Sequence, residues 1–193
     1  MFFGGKVNPD LEDFGKALAK SVEQLFLERN NIKFSQEPKL ERKGIIEYNG
    51  KMRAEGMEKF NDPTFISAIN YYLNTANMEK NKAVGAVITY IEQGYVTTLL
   101  KLLKYPMADD EDLDALADCC GTLCNILAGA FKTAISKMGY LELEMSAFAS
   151  HRNKAISGVD FCYNERDKYE VSFFIKDQKR LVVEMTMGIL PKR

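Results

Sequence analysis

Between Asp109 and Gly139 the chain reads as one long amphipathic helix, and no other stretch restricts the possible folds as strongly. Leu113, Leu116, Cys120, Leu123, Leu127, Phe131 and Ile135, with Ala117, Cys124, Ala134 and Met138 among them, recur at steps of three and four, the period of one helical face. A stripe this long has to be buried against other elements. On a helical wheel at about 100° per residue, Asp118, Thr122, Asn125, Gly129 and Ser136 gather on the opposite side, toward solvent or a partner. Asp109, Asp110, Glu111 and Asp112 put negative charge at the positive end of the helix, and Gly139 after Lys137 marks its close.

Gly121 and Gly129 sit inside this helix, where each glycine costs about 1 kcal/mol relative to alanine. Their presence implies close approach of another backbone. The run from Leu113 to Gly129 resembles the signature helix of the CheC/CheX family of chemotaxis phosphatases. That signature has Asp or Ser, three residues, Glu, two residues, Asn, then Ala-Gly and a later Pro. Asp118 matches the first position, Asn125 the amide, Ala128-Gly129 the small pair, and Gly121 the small residue before the acid. Two positions depart: Thr122 stands where the family has Glu, and no proline occurs between Pro106 and Pro191.

The resemblance implies an α/β fold of the α+β type, in which two long antiparallel helices pack on a largely antiparallel sheet, with a shorter third helix. No repeat places a second Asn-bearing motif in the first helix, where Asn30 and Asn31 lie at the end and lack the pattern. The chain is therefore expected to be closer to CheX than to CheC, with one site per protomer, as a single domain over residues 1–193 with extra sequence near 45–80. The implied partner is a phosphorylated CheY-type receiver, and the implied reaction is hydrolysis of its aspartyl phosphate. Asn125 would orient the attacking water, with Asp118, Gly121, Thr122 and Gly129 contacting the receiver. A carboxamide suits that role because it both donates and accepts hydrogen bonds. The chain would need no cofactor of its own, the Mg²⁺ belonging to the receiver. Thr122 cannot supply the charge of the family's Glu, and a charge-assisted contact of about 1.5–3 kcal/mol is lost or replaced by a weaker one. The alternative is thus a catalytically impaired dimeric adaptor that binds a receiver or a motor-switch component without hydrolysis. A homodimer is expected from the resemblance, and open sheet edges offer a means.

With 26 basic against 27 acidic residues the chain has no positive field to attract nucleic acid. Met1–Lys6 lacks the charged and apolar regions of a signal peptide. The uncharged stretch Cys119–Phe131 is too short to cross a bilayer, so the expected location is the cytoplasm, without membrane insertion. Cys119, Cys120 and Cys124 share one helix, where they cannot form a disulfide framework. With a single histidine, His151, the cysteines read as small core residues rather than metal ligands. His151-Arg152 is read as a solvated loop.

Along the rest of the chain, Asn8-Pro9-Asp10 opens a first helix whose stripe runs from Leu11 to Phe26 and ends at Asn30-Asn31. Residues 33–42 read as a loop or irregular edge segment. Asn49-Gly50 between two short apolar runs predicts a hairpin with a type I′ turn. Thr64–Leu73 reads as a strand, Asn74–Asn81 as a polar turn, and Ala83–Ile91 as a strand apolar on both faces, hence central in a sheet covered by helices. A short helix over Glu92–Tyr105 is stopped by Pro106. Strands are expected over Leu141–Ala149 and Ile156–Tyr163, followed by a terminal hairpin, Tyr169–Ile175 and Leu181–Met187.

Overall fold

The computed structural model describes residues 8–153 and 155–193, so the reading of Met1–Lys6 lies outside the described residues. The core is a seven-stranded sheet paired antiparallel throughout. Its strands are β1 (Lys39–Gly44), β4 (Thr64–Tyr72), β5 (Gly85–Glu92), β6 (Glu144–Met145), β7 (Ala149–Arg152), β9 (Asp167–Ile175) and β10 (Gln178–Met187). The order is β1-β9-β10-β5-β4, with β6 and β7 both on the outer side of β4.

Two helices lie on one face, α1 (Leu11–Asn30) and α4 (Leu113–Lys137). They run antiparallel. The Tyr140 hydroxyl, just past α4, donates to Asp10 at the start of α1 (2.8 Å), and Asn30 at the end of α1 donates to the Leu102 carbonyl, ahead of α4 (2.8 Å). Phe14, Leu18, Leu127 and Phe131 are fully buried against Ile69, Val171 and Phe173 of the sheet; burial of each such side chain contributes about 1.5–3 kcal/mol. By length and composition α4 could span a membrane, yet its apolar stripe is covered by this sheet. Asp112 caps it by accepting from the Ala115 amide (3.0 Å). The third helix, α3 (Val96–Leu102), is the short one, followed by Lys104 in a left-handed conformation and then Pro106. A one-turn helix, α2 (Thr75–Glu79), occupies the stretch read as a polar turn.

The other face is covered by a second, three-stranded sheet rather than by helices. It consists of β2 (Glu47–Tyr48), β3 (Lys51–Glu55) and β8 (Ala155–Val159), in the order β2-β3-β8. Asn49 (φ 51°) and Gly50 (φ 74°) both take positive φ in the β2–β3 turn, as a type I′ hairpin demands. Met52, Ala54 and Val159 bury against Ile66, Ile88 and Val182 of the main sheet. The hairpin at 47–55, within the extra sequence near 45–80, therefore contributes a layer, and it recruits most of the segment expected as an ordinary strand at 156–163.

Two further expectations are corrected. Of residues 33–42, read as a loop or irregular edge segment, the end from Lys39 is regular and runs on to Gly44 as an edge strand paired with β9. The stretch is too polar to signal a strand because both its faces are partly solvated. The single strand expected over Leu141–Ala149 is instead β6 and β7, interrupted where Phe148 leaves the sheet to pack on α4. His151 and Arg152 belong to β7 rather than to a loop.

Candidate functional site

Because the stripe of α4 is consumed by the sheet, its other side is the outer surface of the molecule. Two bonds set the helix's rotation: the Tyr71 hydroxyl donates to the Ala128 carbonyl (2.8 Å), and the Cys124 thiol to the Ser67 carbonyl (3.4 Å). Asp118, Thr122 and Asn125 are accordingly exposed and aligned. Their side chains enter no hydrogen bond or ion pair among the described residues. Ser136, further along, is half-buried and accepts from the Arg193 guanidinium (2.7 Å).

The two glycines have different surroundings. A Cβ at Gly121 would come within 2.1 Å of the Phe148 ring. The close approach there is made by a side chain of the same chain, not by another backbone, and Gly121 is covered rather than part of the open ridge. At Gly129 a Cβ would meet nothing within 4 Å, so no internal contact requires glycine. Gly129→Ala is expected to raise the unfolding free energy by about 0.5–1 kcal/mol, read by urea denaturation. A loss of stability would mean that the backbone at this point is strained against alanine.

Beside the ridge, where α3 ends against α4, lies a hollow of about 190 Å³. Leu100, Tyr105, Pro106, Cys119 and Leu123 form its walls, and Asp118 and Thr122 its lip. The sequence suggested no such feature: Leu123 read only as core, and Pro106 as a helix stop. Their convergence depends on how α3 meets α4.

Thiol chemistry is unfavourable at this surface. Burial, and then the Asp118 carboxylate, raise the Cys119 thiol; burial raises Cys120 strongly and pushes Cys124 up to about 12. All three stay protonated near neutrality, when a nucleophile or metal ligand needs the thiolate. Among the described residues no group of three or more His, Cys, Asp or Glu side chains could hold a metal ion. What the ridge offers chemically is one unpaired carboxamide, one carboxylate and one hydroxyl within two helical turns.

No family's sequence profile matches this chain, nor does any curated protein sequence. Solved structures do. A provisionally named chemotaxis protein from Desulfovibrio vulgaris Hildenborough superposes with a TM-score of 0.58 at 14% identity, over 95% of this chain and 100% of that one. A CheC-like superfamily protein from Shewanella sp. PV-4 gives 0.54 at 16% identity, over 90% and 96%. CheX from Borrelia burgdorferi, solved as a complex with CheY, BeF₃ and Mg²⁺, gives 0.52 at 13% identity, over 92% and 99%. Two antiparallel helices on an antiparallel sheet are thus an arrangement this chain shares along nearly its whole length with the CheC/CheX chemotaxis proteins, and theirs is the fold it has.

Proposed function

We propose that the ridge Asp118–Thr122–Asn125–Gly129 docks on a phosphorylated CheY-type receiver and that Asn125 holds the water that attacks phosphorus. The observation that carries this reading is the exposed, unpaired Asn125 amide on a helix whose rotation is fixed from behind. In-line phosphoryl transfer asks little of the protein beyond placing the nucleophile. The amide oxygen accepts from the water while the amide N–H₂ holds register on the receiver. Mg²⁺ and the receiver's own cation carry the phosphoryl charge. Gly129 fits the same picture: with no internal reason for glycine, its bare backbone lets a partner approach closely. The proposed assembly is a homodimer, for which the edges of β1 and β2 offer unpaired backbone groups.

A second reading, docking without efficient hydrolysis, is favoured by Thr122. Its side chain lies at the lip of an apolar hollow and brings no charge to the position the family gives to Glu. Phosphate release from a phosphorylated receiver of the same organism separates the two. Under the leading reading wild type accelerates release over receiver alone and Asn125→Ala does not. Under the second, wild type binds without accelerating release, and Thr122→Glu gains activity, by about tenfold if a contact of about 1.4 kcal/mol is restored. No gain in Thr122→Glu would place the defect elsewhere.

A further inference from the structure

We propose that the hollow between α3 and α4 receives one bulky apolar side chain of the docking receiver, presented beside a lysine or arginine. The inference rests on the docking reading above and adds to it a second, apolar anchor next to the polar ridge. At about 190 Å³ the space exceeds the roughly 150 Å³ that admits benzene to an apolar cavity, so a phenylalanine ring or a leucine or methionine side chain fits. The lip is formed by Asp118 and Thr122. A group seated in the hollow is therefore continuous with the ridge, and Thr122 keeps the lip uncharged at that position where a Glu would bring charge.

Charge complementarity identifies the occupant. From Tyr105 to Phe131 there is no lysine or arginine, while Asp109, Asp110, Glu111, Asp112, Asp114 and Asp118 are all acidic. Asp109 and Asp112 accept from the amides of Glu111 and Ala115. The other four carboxylates have no ion pair among the described residues. Met107 and Leu113, 59% and 36% exposed, extend the apolar surface at the same end of α4. Arg29 stacks on the Tyr105 wall (4.4 Å to the ring), but the lip carries the Asp118 carboxylate and α4 begins in carboxylates without ion pairs among the described residues. The α4 side of the hollow therefore selects an apolar anchor flanked by a cation, a second acidic surface being repelled. A second copy of this chain meeting the hollow through the same helix would bring its own acidic start of α4.

The experiment titrates a CheY-type receiver of the same organism, held in Mg²⁺ and BeF₃⁻, against wild type, Cys119→Phe and Asp110→Lys/Glu111→Lys. Cys119→Phe fills the hollow from α4 and is expected to raise Kd about tenfold or more. The charge-reversed pair, on exposed residues outside the hollow, is expected to raise Kd about tenfold at low salt and to flatten its salt dependence. A Kd for Cys119→Phe within about twofold of wild type, at an unchanged melting temperature, overturns the proposal. If that variant fails to fold, the charge-reversed pair decides: a Kd insensitive to the reversal overturns it equally. A change in oligomeric state with unaltered receiver affinity assigns the hollow to a second copy and overturns it too. The function proposed above fails differently. Phosphate release that Asn125→Ala leaves unchanged removes catalysis while the Kd shift of Cys119→Phe remains, and a wild-type chain that does not bind the receiver removes both.

Discussion

Asn125→Ala is expected to slow release of phosphate from a phosphorylated CheY-type receiver by about a hundredfold, with no loss of thermal stability. The size follows from the work assigned to the amide. It forms no covalent bond and carries no charge, so its contribution is the placing of one water, and misplacement by about 1 Å costs on that order. Stability should not fall, because Asn125 is exposed and packs on nothing that its loss would empty. Alanine is also the better helix former at such a site. The variant therefore separates chemistry from folding more cleanly than any substitution on the buried side of α4. Its receiver affinity should drop far less than its rate, since the proposed docking surface extends over Asp118, Thr122 and Gly129. A rate equal to wild type, in a variant that still binds, would reject the assigned role of the amide. Asn125→Asp is a useful companion: it keeps the acceptor and loses the donor, and a negative charge facing phosphoryl oxygens should depress the rate further than size alone explains.

Much of the ridge was legible because α4 carries its pattern in one continuous stretch. Leu116, Leu123, Leu127 and Phe131 fix which side is buried, and Asp118, Thr122 and Asn125 follow by subtraction. The hairpin at Asn49-Gly50 was equally local, since both residues tolerate positive φ. What could not be read was anything depending on which element covers which. Tyr169-Glu170-Val171-Ser172-Phe173 alternates like a half-solvated strand, with Glu170 on the wet side. The β2-β3-β8 sheet covers that side, so Glu170 and Glu184 are 4% and 1% exposed. Pairing among strands far apart in sequence created that layer, and no window along the chain contains the information. Gly121 shows the same limit: its cost in a helix was visible, and its reason, the Phe148 ring, sits across a turn and a strand.

The buried carboxylates lead to the largest stability effect expected. Lys59, 5% exposed, reaches from the second layer to Glu170 on β9 (2.5 Å) and Glu184 on β10 (2.7 Å). Lys168 also pairs with Glu184 (2.8 Å), Lys43 with Glu170 (2.9 Å), and the Tyr90 hydroxyl donates to Glu184 (2.6 Å). Lys59→Met keeps most of the aliphatic stem and removes the one cation that touches both acids. It should cost about 3–5 kcal/mol, because each carboxylate then keeps a single lysine in a site shut off from water. The pH dependence has a definite sign. Burial drives the Lys59 amine down, but Glu184 and Glu170 outweigh it and hold it above its usual value. Its stabilisation is thus complete below the unfolded value of about 10.4 and is lost as pH rises through the higher folded value. Burial pushes Glu170 up, and Lys59 with Lys43 reverse this and hold it below the usual carboxylate range. Its share is present above the unfolded value of about 4.3 and disappears as pH falls through the lower folded value. Urea unfolding of wild type and Lys59→Met should therefore differ most between those limits and converge toward either end. A difference under about 1 kcal/mol at neutral pH would mean that Lys43 and Lys168 alone neutralise the pair. The quadruple variant Lys59→Met/Lys168→Met/Glu170→Leu/Glu184→Leu should regain most of the loss, since buried Lys168, which pairs with Glu184, is removed as well and an apolar cluster of similar volume needs no counter-charge between the two sheets.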